Sequence, residues 1–160
     1  MIFRWGFINF NFILILFQVQ WCKYSSTCEV FIISNGADNI LHIFGCSGNN
    51  LVKLPKLEIP SIYSIKEKSL WLFRLYDENY LGHLIAINDE SRLFIYKINQ
   101  GAKSVIEEAF CVLGPVRESY GVSIIDNLIV VSYLQVNWDS QVIVFNNSSN
   151  LQAKNFRHFQ

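Results

Sequence analysis

Alanine, charge and paired cysteines are all scarce in this sequence. Five alanines stand against twenty isoleucines and twelve valines. Alanine leads the helix scale, whereas Ile, Val and the aromatics suit a pleated, half-buried surface. A helical bundle is therefore disfavoured before any window is read. Charged residues make up 16% of the chain, below the roughly 25% of an ordinary domain. Thirteen basic residues balance thirteen acidic ones, which excludes a strongly basic nucleic-acid footprint and an acidic tail. No Cys-x-x-Cys pair occurs among Cys22, Cys28, Cys46 and Cys111, and His42, His83 and His158 complete no zinc spacing. Neither Gly-x-Ser-x-Gly nor a glycine-rich phosphate loop is present. The sequence thus assigns no catalytic, cofactor-binding or metal-binding residue and implies no cofactor.

What is present is apolar. The hydrophobic fraction is 51% and the aromatic fraction 15%, which excludes general disorder. The one long apolar run is Phe12 to Phe17. A spanning helix needs about 20 predominantly apolar residues, and Ile2 to Val19 is interrupted by Arg4, Asn9, Asn11 and Gln18. A signal peptide fits the order of charge and apolar core, but no small residues mark a cleavage site before Trp21. Translation of non-coding sequence upstream of Val19 is a third reading. Residues 1–18 are accordingly placed outside the fold.

From residue 28 onward, short alternating segments are divided by Asn, Asp, Gly and Ser, which accept positive φ or bond their own backbone. Strands are predicted over 29–34, 40–45, 51–59 (interrupted by Pro55), 70–76, 80–88, 93–98, 121–125, 128–133 and 141–145. Residues 103–113 fit either a strand or a short helix. The pattern repeats. Phe44 to Tyr96 is 52 residues and Tyr96 to Phe145 is 49. A repeat of this period with about four strands points to a β-propeller. The expectation is an all-β chain, a partial β-propeller of about two and a half to three four-stranded antiparallel blades. It occupies 19–146, with 147–160 a polar tail.

Individual residues add little chemistry. Glu107 and Glu108 are neighbours on a strand, so they point to opposite faces and cannot flank one bond. His42 and His83 sit in apolar strands and read as hydrogen-bonded structural side chains or outward-facing ones. Lys53, Lys56, Lys66 and Lys68 form a mildly basic stretch diluted by Glu58 and Glu67, a solvated face. Cys46 and Cys111 read as buried thiols. Trp71 reads as core, while Trp21 and Trp138 stand at turns or strand entries. Asn146 and Asn147 are overlapping glycosylation acceptors only if the chain is secreted.

Several stretches together carry a resemblance: Val19-Gln20-Trp21, Leu51 to Ile59 (Leu-Val-Lys-Leu-Pro-Lys-Leu-Glu-Ile), Ile95-Tyr96-Lys97-Ile98, Val122 to Val131, and Gln141 to Phe145. In this order they resemble the N-terminal propeller region of the regulator of the Mon-one–Ccz-one complex, the Mic-one family. The resemblance implies a non-enzymatic scaffold subunit of a guanine nucleotide exchange complex acting on Rab-seven, in late endosome and lysosome trafficking and autophagy. It implies protein partners, the two exchange-factor subunits, no nucleic acid, and a cytoplasmic location peripheral to the late-endosomal membrane through the complex. The alternative is a secreted or membrane-anchored β-domain serving as an interaction module. A hydrolase on a propeller's central face finds almost nothing in the residue inventory.

Overall fold

The computed structural model describes residues 19–36, 39–48, 50–60, 65–115, 120–133, 140–144 and 152–156. Among them lie thirteen strands and one short 3-10 turn, Glu67–Ser69. The chain divides into two compact units. One contains the described residues up to Glu67 together with Asn99–Val105, and the other contains Lys68–Ile98 and the residues from Ile106 onward.

The first unit is built on sheet I: β1 (Trp21–Ser25), β2 (Val30–Ser34), β3 (Ile40–Ser47) and β4 (Asn50–Lys53), in that order, with the short β5 (Leu57–Glu58) also pairing with β3. Pro55 separates β4 from β5, because proline offers no ladder donor. β2 is buried on both faces, from Val30 at 0% to Phe31 at 4% exposure. Such a strand reads as a continuous apolar run instead of an alternating one. Phe31, Ile33, Phe44 and Cys46 cluster on one face. The turn after residue 99 adds a tie: Gln100 Nε2 donates to the carbonyls of Cys28 (3.0 Å) and Glu29 (3.3 Å). Gly45 leaves room for that side chain, since a Cβ there would lie 2.5 Å from Gln100 Oε1.

The second unit contains two sheets. Sheet II comprises β6 (Leu70–Leu75), β7 (Glu78–Ile87), β8 (Glu90–Asn99) and β9 (Ser104–Pro115), and sheet III comprises β10 (Tyr120–Ile125), β11 (Leu128–Tyr133), β12 (Ser140–Val144) and β13 (Gln152–Phe156). Tyr76-Asp77, Asn88-Asp89 and Asp126-Asn127 all have positive φ at both positions, the geometry of a two-residue type I′ turn whose twist matches the strands. Phe73, Leu75, Tyr80, Leu93, Ile95, Cys111, Leu113, Ile129 and Val131 form the core between sheets II and III. Each fully buried Leu or Ile there contributes about 1.5–3 kcal/mol. Trp71 packs half-buried against this core.

All-β structure with antiparallel pairing agrees with the sequence reading. Three details differ. Residues 21–25, of which only Trp21 reads as a turn or strand entry, form β1, paired from Trp21↔Ser34 to Ser25↔Val30. Residues 103–113, ambiguous by period, are strand from Ser104 onward, within β9. Residues 152–156, read as part of a polar tail, pair with β12 as β13. Both β1 and β13 lie at sheet edges, where backbone pairing can recruit a segment of weak side-chain pattern. The four cysteines are free thiols, with Cys22 exposed and Cys28, Cys46 and Cys111 buried. Among the described residues no helix is long and apolar enough to cross a membrane. The apolar run at 12–17, Trp138, Asn146 and Asn147 lie outside the described residues.

Candidate functional site

Antiparallel register brings the start of β8, the end of β9 and the start of β10 to one end of the second unit. There the Tyr120 hydroxyl lies 2.6 Å from Ser91 Oγ and 3.0 Å from the Pro115 carbonyl oxygen. A carbonyl can only accept, so Tyr120 donates its proton to Pro115. Ser91 in turn donates to the Tyr120 oxygen. Ser91 is 2% exposed, so this relay satisfies a hydroxyl that water does not reach. Sequence reading missed it, because Ser91 and Tyr120 are 29 positions apart on different sheets and each was placed beside a strand, not in one.

The opposite face of sheet II carries a second polar group of residues. His83 stands opposite Leu70 on β6 and Phe94 on β8, and Arg92 stands opposite Ile85. Arg92 pairs with Glu90 Oε2 at 3.1 Å through one guanidinium nitrogen. Its Nε is buried with no hydrogen-bond partner among the described residues, as are both ring nitrogens of His83. His83 is 0% exposed. Burial alone lowers its pKa to about 4, so the ring is neutral at pH 7. The expectation that His83 would be hydrogen-bonded or outward-facing is not met.

Ser91 and His83 project from opposite faces of sheet II, so they form no nucleophile–base pair. Glu107 and Glu108 are likewise divided. Burial first, then Glu107, raises the Tyr96 phenol to about 12. Burial first, then Glu108 and Glu78, raises the Tyr80 phenol to about 12. Tyr96 and Tyr80 lie on opposite faces, which agrees with the alternation argued for the two acids. Lys56 is ion-paired with Glu58 at 2.6 Å in solvent, and Lys53, Lys66 and Lys68 are exposed. Among the described residues no group of three His, Cys, Asp or Glu could hold a metal ion.

Comparison with known proteins places the fold. No protein-family model matches the chain, and neither does any curated protein. Solved structures do. A protein assigned as a 6-phosphogluconolactonase from Bacteroides fragilis aligns at 12% identity with a TM-score of 0.55, over 84% of this chain and 37% of that one. The periplasmic gluconolactonase of Pseudomonas aeruginosa aligns at 14% identity with a TM-score of 0.52, over 84% of this chain and 39% of that one. The chain therefore spans well under half the length of either. These structures correct the functional expectation drawn from the sequence. A non-enzymatic scaffold subunit of an exchange complex was expected, yet both are named as lactonases, which are enzymes. The expectation that the chain has no part in an enzyme is overturned with it.

Proposed function

We propose that this chain supplies three blades of a β-propeller that hydrolyses a sugar lactone. The observation that carries the reading is the alignment of 84% of the chain with two lactonases at TM-scores of 0.55 and 0.52. Three successive antiparallel sheets, one of five strands and two of four, support the propeller part, since each blade of a propeller is a four-stranded sheet. Function resides in sites and not in folds, and the residues on hand are few. Opening a lactone requires a base to take a proton from water, a donor for the carbonyl oxygen as it gains charge, and a proton for the departing ring oxygen. The Ser91–Tyr120 relay, with Ser91 sealed from water, holds the fold and supplies none of these groups. Base and oxyanion donor then fall to the part of the ring beyond these three sheets.

The test is hydrolysis of glucono-δ-lactone and of its 6-phosphate, followed by acid release with a pH indicator. The expected result is a rate above spontaneous opening that scales with protein concentration. A rate equal to the protein-free control for both lactones overturns the reading.

A further inference from the structure

Sheet II ends on a long edge. β9 runs 12 residues, Ser104–Pro115, and among the described residues it pairs with β8 on one side only. Its other side carries a row of N–H and C=O groups outside any ladder, the template that a further strand needs. Protein sheets blunt such edges by keeping them short or by placing lysine or proline on them. Here the one proline is the last residue, Pro115, and no lysine or arginine lies between Ser104 and Gly114.

The side chains of this edge are apolar at one end and acidic further along. Cys111 and Leu113 enter the core of the unit, so alternation puts Phe110 and Val112 on the opposite face. There they stand 50% and 42% exposed. Phe110 stacks on Phe94 of β8, with ring centroids 5.7 Å apart, which fixes it as a platform beside the open edge. Glu107 and Glu108 precede it. Both are exposed, and neither forms an ion pair among the described residues. Glu107 acts on Tyr96 and Glu108 on Tyr80, whose rings lie on opposite faces, so the two carboxylates flank the edge from both sides.

A second copy of β9 suits this edge poorly. Antiparallel pairing that sets Phe110 against Val112 leaves Glu108 opposite Gly114 and Glu107 opposite Pro115, with both acids unneutralised. A register that brings the acids together sets Glu107 against Glu108, a destabilising like-charge pair. A strand that carries positive charge where β9 carries negative meets both ends of the edge.

We propose that β9 is a docking edge for an extended segment of another protein, which adds to sheet II as a fifth strand with apolar residues beside Phe110 and Val112 and lysine or arginine beside Glu107 and Glu108. Backbone pairing gives the affinity, and the two parts of the edge select the sequence. In antiparallel pairing such a segment is apolar first and basic second. The proposal is independent of the lactone reading.

The probe is an end-blocked, fluorescein-labelled peptide of alternating threonine and valine that ends in two lysines, titrated into the full chain by fluorescence anisotropy. Saturable binding with a Kd below about 100 μM is expected, weakened at least about tenfold by Glu107→Lys combined with Glu108→Lys. Should that variant fail to fold, Glu107→Gln with Glu108→Gln removes both charges at nearly constant shape and is expected to abolish the salt dependence of binding. N-methylation of alternate peptide amides is expected to abolish binding in one phase and spare it in the other, because only every second N–H of an added strand faces the edge. No saturation by about 1 mM overturns the proposal, whether the edge stays open or a second copy fills it. Equal binding of a peptide ending in two glutamates, or of both N-methylated peptides, overturns it as well.

Discussion

The backbone N–H of Tyr76 donates to Oδ1 of Asn127 at 2.8 Å, across 51 positions of sequence. The bond joins the β6–β7 turn of sheet II to the β10–β11 turn of sheet III. At the far end of the same two sheets, Ser91 and Tyr120 make the second polar link. The apolar core of the unit lies between them, so sheets II and III are held at both ends and in the middle.

Asn127→Ala removes the acceptor and places alanine at φ 61°, where a Cβ is disfavoured. A loss of about 1–3 kcal/mol is expected, read as a lower urea midpoint with unchanged slope. Stability equal to wild type would show that the turn-to-turn bond contributes nothing.

Tyr76 itself sits at φ 48°, a conformation costly for a bulky residue. Type I′ turns prefer Asn at this position. Tyr76→Asn keeps the N–H that Asn127 accepts and is expected to stabilise by about 0.5–1 kcal/mol. A fall in melting temperature would contradict this.

Ser91 and Tyr120 should respond unequally. Tyr120→Phe strands the buried Ser91 hydroxyl, a cost of about 1–3 kcal/mol. Ser91→Ala leaves Tyr120 still donating to the Pro115 carbonyl and is expected to cost under about 1 kcal/mol. Chemical denaturation of both variants and of the double mutant tests this order, and the reverse order would refute the proton assignment.

His83 makes the unit acid-sensitive. Its pKa is about 4 in the folded chain against 6.5 ordinarily, so the unfolded chain binds the extra proton between these values. Stability is then full above about pH 6.5 and falls as pH drops toward 4, by up to about 3 kcal/mol. His83→Leu should flatten that slope. It should also stabilise the chain at pH 7 by about 1 kcal/mol, because no unpartnered ring nitrogen remains buried. Urea titrations at pH 7, 6, 5 and 4 are the measurement, and parallel curves for wild type and variant would sink the prediction.

Much of the fold was legible because its signals are local. Asn88-Asp89 and Asp126-Asn127 announced turns, and Leu93 to Ile98 alternated strictly enough to be placed within one to three residues of β8. β1 and β13 were not legible, since Trp21-Cys22-Lys23-Tyr24-Ser25 and Gln152-Ala153-Lys154-Asn155-Phe156 owe their extended form to a partner strand. The function implied by the family resemblance went astray for a related reason: hydrophobic strands in a given order are shared by propeller-like chains of unlike chemistry. Tyr76 was placed at the end of a strand and not in the turn it occupies, because nothing in a tyrosine signals positive φ.

Composition and alternation alone determined that this chain is β, that its sheets are antiparallel and that they recur about every fifty residues, because side-chain period and turn chemistry act between near neighbours. Tertiary structure decided which faces meet, that His83 is sealed without a partner among the described residues, and that Ser91 reaches Tyr120. Those outcomes depend on how separate sheets stack, a matter of burial and distance that no local pattern encodes.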